Sequence, residues 1–565
     1  MTSNKYALLR TTLAAGVAVA MAICVGCDGN QSGAGVAKAG DTPAVASAKG
    51  KPNIVLISLC SVRADHMSLY GYARRTTPSF EALARESYVF DHAYTQWPKT
   101  APAFAAIMSA KYGHTNGVMR ITPGQFLADE HKTLCEVLND AGYQTAAFVS
   151  TAAVNSETNI NQGFQTFEEV WRDASGRANP QRHIAPTIRA IDYIEQHKND
   201  DKPFFVWAHY NNAHYYYDGG GVPPETFVDD DHMGPSEVVE LRRNPLTCLD
   251  IPADLEDPCY RPLKRPDIGG LHRGAIQVDL RAGGRTIHPR ATDLAYSVAV
   301  YDAGILGGDR AAGALIEELR DLKLMDNTIV VLVGDHGESL GDQNFYMEHG
   351  RFPYDSTARV PYMIRPVGGV KEERIDAPVA SFSLAPTLLD MIGVAKPEEW
   401  EAQSVYAALT SDEKFPRWVY TESGYEQMFS LTIRDNQWKL IWVPDETDQL
   451  LQRNSQFELY DWRADPTESK NVVTSHKDEF GQLVKKLQQW RQPWYEQAAG
   501  LKSGGHAISS QNAKGLKGMG YIGGADDIDP AMLAIQDVSV ASPDDFHRVG
   551  VVTCPNPGKP EQYPN

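Results

Sequence analysis

The sequence predicts an α/β protein with a large, mainly parallel sheet that carries helices on both faces, followed by a smaller C-terminal subdomain with an antiparallel sheet. Two patterns support this prediction. Continuous apolar, β-branched runs such as PNIVLISL (52–59) are typical of strands buried on both faces of a parallel sheet, and they alternate with segments of helical periodicity. From about residue 416 onwards, strand-like segments instead follow one another directly and end in a helical pattern at 478–497.

The elements of the large domain follow from local patterns along the chain. The predicted order is strand 52–59, helix 77–87, helix 133–142, strand 144–150, strand 202–210, helix 313–326 and strand 328–338. Helical spacing of apolar residues supports the helices, and Gly142 supplies the C-terminal stop of the second. In such sheets, functional sites form where loops leave the carboxyl ends of the strands.

We divide the chain into a large N-terminal domain at 51–400, expected to be the catalytic one, a C-terminal subdomain at 401–525 and an acidic, irregular tail at 526–565. Residues 215–292 break the alternation with a stretch rich in Pro, Gly and Arg. They form an insertion that either lies beside the mouth of the active site or is a solvated excursion.

The composition excludes several classes of protein. The 565 residues include 53 Lys plus Arg and 72 Asp plus Glu, a net charge of −19, and 42% are apolar. This length and apolar content exclude a small disulfide-stapled domain and a wholly disordered chain. The acidic balance disfavours a protein that tracks nucleic acid through a basic surface. An anionic substrate would therefore need a local positive site, made by a metal ion or a few converging cations.

The N-terminus predicts export. Lys5 and Arg10 precede LAAGVAVAMAICVGC, an apolar run too short to span a bilayer comfortably, so residues 1–27 are interpreted as a signal peptide. Its end resembles a bacterial lipoprotein cleavage box in which Cys27 is lipidated and becomes the first mature residue; ordinary cleavage or an uncleaved anchor are the alternatives. Residues 28–50 suit a flexible tether. We therefore expect a protein of the cell envelope, lipid-anchored to a bacterial membrane and facing the periplasm or the exterior.

Three cysteines of the body have separate interpretations. Cys248 and Cys259 lie close together in a loop-like stretch, and in an oxidising compartment they predict a local disulfide. Cys135 falls in the helical pattern TLCEVL, which favours a buried free thiol.

The sharpest local motif is GDHGESLGD (334–342), directly after a predicted buried strand. Where the strand ends, Asp335 and His336 can converge on one cation, and one carboxylate with one imidazole suits a divalent metal. The alternative is a turn or capping feature of a Gly-rich loop.

A second motif is TQWPKTAPAFAAIM (95–108), in which Thr100 stands where a helix begins. Free N–H groups and the positive end of the helix dipole favour an anion there. The Thr100 hydroxyl either caps the helix or, next to a metal, loses its proton more readily and becomes a nucleophile. Lys99 adds positive charge.

Three histidines, His209 and His214 in HYNNAH and His349 in MEHGRF, are predicted near strand ends. A single such histidine is usually a hydrogen-bonded surface residue. Several that converge on an oxyanion can orient it or protonate a leaving group.

Together, these motifs resemble the sulfatase family of the alkaline phosphatase superfamily. The resemblance covers about residues 52–524 and rests on PNIVLISLCSVRADHMSLYGY, RTTPSFEALARESYVFDHAYTQ, HYNNAH, LRDLKLMDNTIVVLVGDHGESLGD, HGRFPYDSTARVP, LAPTLLDMIGV, WKLIWV, FELYDWRADPTESKNVV and LKGMGYIGG. It implies an alkaline-phosphatase-like fold and hydrolysis or transfer of a sulfate or phosphate ester.

The resemblance also implies roles for single residues. Asp335 and His336 take the positions of metal ligands, and Thr100 takes that of the nucleophile. His214 and His349 fall where the family contacts the substrate anion or the leaving group. Candidate substrate-binding residues are Lys99, His209 and Arg63.

Two parts of the family pattern are changed, namely the nucleophile element and the position of one metal ligand. Phe104 replaces the Arg of the Cys/Ser-x-Pro-x-Arg element, and Thr100 replaces its first residue, so formylglycine is not expected. Cys60 stands where the family has an Asp metal ligand. Three interpretations of Cys60 follow. It binds zinc as a thiolate, or this ligand is lost and the remaining site still works, or the site is catalytically degenerate.

The expected cofactor is a divalent metal, either zinc, manganese or calcium, with zinc favoured if Cys60 is a ligand. The predicted function is a metal-dependent hydrolase or group transferase that acts on a sulfate or phosphate ester of a small molecule, glycan or lipid. The alternative is a degenerate sulfatase-fold protein that binds an anionic glycan or lipid without turnover. The sequence does not predict the oligomeric state.

Overall fold

The large sheet has eight strands in the computed structural model. They are β1 (Asn53–Leu59), β2 (Tyr88–Phe90), β3 (Gln144–Val149), β4 (Thr166–Glu169), β5 (Phe204–Tyr210), β6 (Thr328–Gly334), β7 (Tyr362–Arg365) and β8 (Glu373–Ile375). Their order across the sheet is β8-β2-β7-β6-β1-β5-β3-β4. Only β7 runs against the others, pairing antiparallel with both β6 and β2. The sheet is therefore mainly parallel, as the sequence predicts.

The structure describes residues 50–119, 126–214, 219–227, 294–340, 342–344, 346–350, 352–425, 428–443 and 457–497, together with short strands at 241–243, 250–252, 280–282 and 285–287. From Pro52 onwards the described residues form one compact unit. The predicted signal peptide with Cys27, most of the tether, the pair Cys248 and Cys259, most of the insertion and the acidic tail lie outside the described residues, so these predictions and the domain boundaries stay predictions.

Alternate residues of the central strand β1 enter two cores on opposite faces of the sheet. Ile54 and Leu56 belong to one core, and Val55 and Ile57 belong to the other. Helices cover both faces, which explains why five of the seven residues of this strand are apolar. The helices are α1 (Pro78–Ala84), α2 (Thr100–Ser109), α3 (Gly113–Asn116), α4 (Leu134–Asp140), α5 (Ala185–His197), α6 (Leu294–Asp321), α7 (Asp355–Ala358), α8 (Leu384–Met391), α9 (Tyr406–Thr410) and α10 (Lys477–Gln497).

The C-terminal part is a four-stranded antiparallel sheet packed on a helix. Its strands, β9 (Val419–Tyr425), β10 (Met428–Arg434), β11 (Trp438–Trp442) and β12 (Phe457–Asp461), pair in sequence order. Apolar residues of α10 such as Phe480 and Leu487 share a core with Leu431 and Leu440 of this sheet. The predicted fold class is thus confirmed in both its parts.

Short elements complete the described chain. Two-residue strands at Ala93–Tyr94, Arg359–Val360 and Val379–Ala380 form one small sheet, and Ser339–Leu340 pairs with Tyr346–Glu348. Helical turns of the 3-10 type lie at Ala64–His66, Ser68–Tyr70, Ser156–Thr158, Pro224–Phe227, Met325–Asn327, Asp342–Asn344 and Ser381–Ser383. Within the described residues, no helix is long and apolar enough to cross a membrane.

Candidate active site

Three neighbouring parallel strands, β6, β1 and β5, bring the site residues together at their carboxyl ends. Cys60 directly follows β1, Asp335 directly follows β6, and His209 is the penultimate residue of β5. In the sheet register, Leu59 lies opposite both Gly334 and Tyr210. Side chains that are 126 to 275 positions apart in sequence therefore meet at one edge of the sheet.

Thr100 is the first residue of α2, with Lys99 at the N-cap. Its hydroxyl oxygen lies 3.0 Å from Nε2 of His336 and 3.5 Å from Sγ of Cys60. All three side chains are buried. The position at the start of the helix is the predicted one, and the hydroxyl is directed at the strand ends.

The hydrogen bonds of His336 identify its protonated nitrogen. Nδ1 lies 2.8 Å from the carbonyl oxygen of Gly337, which can only accept, so Nδ1 carries the proton. Burial lowers the pKa of His336 to about 4, so the ring is neutral. Nε2 therefore holds a lone pair that can accept the hydrogen bond of Thr100.

Asp335 is fixed through one oxygen only. Its Oδ1 accepts hydrogen bonds from the backbone N–H of Ser61 at 3.0 Å and of His336 at 2.7 Å. Ser61 adopts a left-handed backbone with φ of 58°, which is uncommon for a residue other than glycine and turns its N–H towards the carboxylate. The other oxygen, Oδ2, is buried without a hydrogen-bond partner and lies 3.4 Å from Nε2 of His336.

Donor atoms of Cys60, His209 and Asp335 all lie within 4.8 Å of one another. Both ring nitrogens of His209 are buried without a hydrogen-bond partner, and burial lowers the pKa of this histidine to about 4. Burial, with the charge of Asp335, raises the pKa of the Cys60 thiol. A thiol, a neutral imidazole and a carboxylate fit a divalent metal of the zinc type. His209 thus lies within a strand, beside Cys60 and Asp335.

A second group of rings adjoins Thr100. The ring of His349 stacks on that of His336 with centroids 4.1 Å apart, and the ring of His214 lies 5.5 Å from that of His349. Burial lowers the pKa of His349, and the nearby His214 and Lys99 lower it further. The structure therefore brings the predicted residues His214, His349 and Lys99 to the same site.

Glu338 is a site residue that the sequence prediction missed. Its Oε1 lies 3.1 Å from Nδ1 of His349. The sequence does contain an indication of this role, because Glu338 is a third ionisable residue in the same short loop as Asp335 and His336. The loop also needs Gly337, since a Cβ atom there would lie 2.1 Å from the carbonyl oxygen of Ser356.

Arg63 binds two carboxylates and one backbone carbonyl. Its guanidinium donates to Asp65 at 2.9 and 2.7 Å, to Asp342 at 2.5 and 3.2 Å, and to the carbonyl oxygen of Glu338 at 3.2 Å. Although burial alone would raise the pKa of Asp65, its pairing with Arg63 holds that pKa well below the usual range. These bonds tie the loop after β1 to the loop after β6, and the substrate-binding role of Arg63 stays a prediction.

Phe104 lies one helical turn after Thr100 and is fully buried. Its ring centroid lies 4.9 Å from that of Trp207 and 5.2 Å from that of His209. An apolar wall therefore borders His209.

Elsewhere, Cys135 is a buried free thiol, as the sequence predicts.

Comparison with known proteins yields family and fold matches. The sulfatase model matches residues 52–394, and the model for the C-terminal part of N-sulphoglucosamine sulphohydrolase matches 341–493. The N-acetylglucosamine-6-O-sulfatase of Bacteroides thetaiotaomicron is 24% identical over 495 residues, which covers 78% of this chain and 85% of the relative.

Solved structures share the fold at low sequence identity. One is a protein in complex with its substrate D-glucosamine-2-N,6-O-disulfate, with a TM-score of 0.61, 20% identity, and coverage of 79% of this chain and 98% of that one. Another is the phosphonate monoester hydrolase of Agrobacterium radiobacter, with a TM-score of 0.58, 18% identity, and coverage of 79% and 96%. At these identities the likeness shows the fold alone.

Proposed function

Because this chain belongs to the sulfatase family, whose model matches more than half of its residues, we propose that it is a metal-dependent hydrolase of a sulfate or phosphate ester with Thr100 as the nucleophile. The enzyme class that the sequence predicts, a sulfuric or phosphoric ester hydrolase, agrees with the family match and with the relative named as a sulfatase. Family members generally use a divalent metal.

The observation that carries the proposal is the position of the Thr100 hydroxyl. Its oxygen lies 3.0 Å from the unprotonated Nε2 of His336, at the positive end of α2 and beside the Cys60 thiol. A hydroxyl with a hydrogen-bonded base is the usual arrangement of an activated nucleophile. As the Thr100 oxygen bonds to the sulfur or phosphorus atom, its proton passes to His336 and the bond to the leaving group breaks.

The remaining residues act on charge and protons. Cys60, His209 and Asp335 are the candidate metal ligands in this scheme, because His336 as the base keeps its Nε2 lone pair for Thr100. A bound divalent metal would lower the pKa of a neighbouring hydroxyl and offset negative charge. Lys99 and the start of α2 offset charge on the ester oxygens. His214 and His349 are placed to supply the leaving group with a proton. Water then cleaves the Thr100 ester and restores the hydroxyl.

The ester group belongs to a sugar in this proposal. The relative from Bacteroides thetaiotaomicron is named for N-acetylglucosamine 6-O-sulfate, and the solved neighbour holds a glucosamine disulfate. The phosphonate monoester hydrolase among the fold neighbours keeps phosphorus substrates in the same test. We propose further that the enzyme is exported and lipid-anchored through Cys27, which rests on the sequence pattern alone.

The test uses the purified full chain, supplied with zinc, manganese or calcium, and aryl sulfate, aryl phosphate monoester, aryl phosphate diester and sulfated glucosamine. Thr100→Ala should abolish turnover of whichever substrate is cleaved, whereas Thr100→Ser should retain part of it because the hydroxyl remains. Ser109→Ala is the matched control, since Ser109 is a buried hydroxyl at the other end of α2 that bonds to the carbonyl oxygen of Ala105. Turnover that survives in Thr100→Ala would overturn the assignment of Thr100 as the nucleophile. No turnover of any substrate with any metal would favour the anion-binding alternative.

A further inference from the structure

The cluster of Cys60, His209 and Asp335 differs from the metal set that the sequence motif predicts. Their donor atoms lie within 4.8 Å of one another, and each side chain is fully buried at the carboxyl end of a different strand. Donor atoms around a zinc ion at about 2.0–2.3 Å are separated by roughly 3–4 Å. The cluster would therefore contract only slightly around such an ion.

Two unpartnered groups point to a ligand at this place. Neither ring nitrogen of His209 has a hydrogen-bond partner, and neither has Oδ2 of Asp335. Buried polar atoms are nearly always paired, because burial without a partner removes their hydrogen bonds to water. A cation between His209 and Asp335 would satisfy both.

The position of His209 is fixed by packing. The ring of Phe104 meets it edge to face at 5.2 Å, and Trp207 lies 6.1 Å away on the same strand. With apolar rings on this side, the imidazole is held towards Cys60 and Asp335. Phe104, which departs from the family pattern, thus supports the histidine.

We propose that Cys60, His209 and Asp335 are the three protein ligands of a zinc-type site, and that His336 stays outside this set. The inference rests on the proposed function and deepens it by naming the ligands and the class of metal. Three protein ligands with a fourth position open is the usual form of a catalytic zinc site. A thiolate and an imidazole disfavour calcium and magnesium, which prefer oxygen ligands.

His336 is left for proton transfer by its own contacts. Its Nδ1 is bound to the Gly337 carbonyl and its Nε2 faces the Thr100 hydroxyl at 3.0 Å. The two histidines therefore have different roles, although both are buried within the same site.

In the first experiment, a chelator removes metal from the full chain and Co²⁺ is then added. The measurement is the near-ultraviolet sulfur-to-cobalt charge-transfer absorption. Wild type should show the band, and Cys60→Ser should lose it. Cys135→Ser is the matched control, because Cys135 is the other buried free thiol among the described residues, and it should keep the band. A wild-type protein without the band would overturn thiolate ligation.

The second experiment compares the two histidines through zinc affinity, measured by competition with a chromophoric chelator. His209→Gln should weaken zinc binding by more than about tenfold, since even loss of an outer-sphere partner commonly costs roughly 10–100-fold. His336→Gln should leave zinc affinity unchanged while turnover is lost. The opposite ranking would overturn the assignment.

A third measurement needs no variant and therefore does not depend on variant folding. Zinc-edge X-ray absorption of the loaded wild-type chain should show one sulfur at about 2.3 Å and one imidazole. Two imidazoles without sulfur, or tighter binding of calcium than of zinc, would overturn the inference. A protein with the expected spectra but no turnover would contradict the proposed function and keep the metal site, whereas turnover with oxygen-only ligation would do the reverse.

Discussion

Phe104 changes the character of the surroundings of Thr100. In the family pattern that the sequence resembles, the equivalent position holds an arginine. Here a fully buried aromatic ring packs between Trp207 and His209 at centroid distances of 4.9 and 5.2 Å. In the proposed mechanism, charge on the substrate is therefore offset by Lys99, by the start of α2 and by a metal.

We predict that Phe104→Arg does not restore a family-like site. The guanidinium would be buried against the rings of Trp207 and His209, and an uncompensated buried charge costs about 3–5 kcal/mol. Denaturant unfolding should show this loss, whereas Phe104→Leu should cost roughly 1 kcal/mol, because it keeps an apolar group of smaller size. A stable Phe104→Arg enzyme with increased sulfate-ester turnover would contradict this account.

The sequence identified most of the residues at the site but not their partners. Asp335, His336 and Thr100 carry local signals, namely a strand end, a Gly-rich loop and a helix start. The contact of His209 with Cys60 depends on β5 lying next to β1, which no local pattern reveals. Arg63 has a motif position that suggested a substrate contact, yet Asp65 and Asp342 bind it. Pairing across 279 positions could not be predicted without the fold.

At the level of elements, strand β11 is joined to the large domain by a buried charge cluster. Lys439 Nζ donates to the carbonyl oxygen of Pro353 and to Asp355, each at 2.8 Å, and also pairs with Glu468. Arg434 of β10 bonds to Asp355 as well. Asp355 lies at the start of α7, so two strands of the C-terminal sheet hold the segment that follows His349.

Lys439→Met should therefore destabilise the protein strongly. It leaves Asp355 with one cation and Glu468 without its lysine, and breaking a buried pair costs about 3–5 kcal/mol. The check is the free energy of unfolding in denaturant, with Lys485→Met as the control, because exposed α10 substitutions usually stay within about 0.5 kcal/mol. Adding Glu468→Gln to Lys439→Met should recover part of the loss; a neutral Lys439→Met would show that the cluster contributes nothing.

Some element boundaries were predictable from local patterns, whereas the predicted helix at 313–326 overlaps only the C-terminal part of α6 (Leu294–Asp321). The apolar run 52–59 corresponds closely to β1 (Asn53–Leu59), and the pattern at 478–497 to α10 (Lys477–Gln497). The sequence did not predict that β7 runs antiparallel, or that Asp355 contacts residues of both β10 and β11. Both features result from long-range packing instead of local periodicity.

At the scale of the whole molecule, the first question is where the enzyme resides. If Cys27 is lipidated, Cys27→Ala should move the protein from the membrane fraction to the soluble or secreted fraction. Cys24→Ala is the matched control, since Cys24 lies three residues earlier in the same segment and should leave the membrane fraction unchanged. Fractionation with immunodetection measures both, and membrane retention of Cys27→Ala would exclude this anchor.

The two parts of the described chain also meet at His92, between the large domain and the C-terminal sheet. Its ring meets that of Trp462, directly after β12, edge to face with centroids 4.7 Å apart, and Nε2 lies 3.2 Å from Asp376. Burial, followed by the charge of Arg359, lowers the pKa of His92 to about 4. Protonation would place a charge in this contact.

This pKa has a defined consequence for stability. Since an unfolded histidine has a pKa of about 6.5, the unfolded chain binds more protons than the folded one between about pH 6.5 and 4. Stability from neutral His92 is therefore complete above about pH 6.5 and is lost as the pH falls through this window. Full linkage would amount to about 3 kcal/mol, and partial solvent exposure of the ring reduces the expected effect to about 1–2 kcal/mol.

His92→Gln should remove this contribution because glutamine does not titrate. Between pH 7 and 4, its free energy of unfolding should fall by about 1–2 kcal/mol less than that of wild type, since all other titrating groups are shared. The difference between the two proteins at pH 7 reports the lost packing on Trp462, which separates it from the charge effect. Denaturant unfolding at matched ionic strength measures both curves. Parallel curves of unfolding free energy against pH would mean that the pKa of His92 is the same in the folded and unfolded chain. Any effect of acid on the contact between the large domain and the C-terminal sheet would then come from other groups.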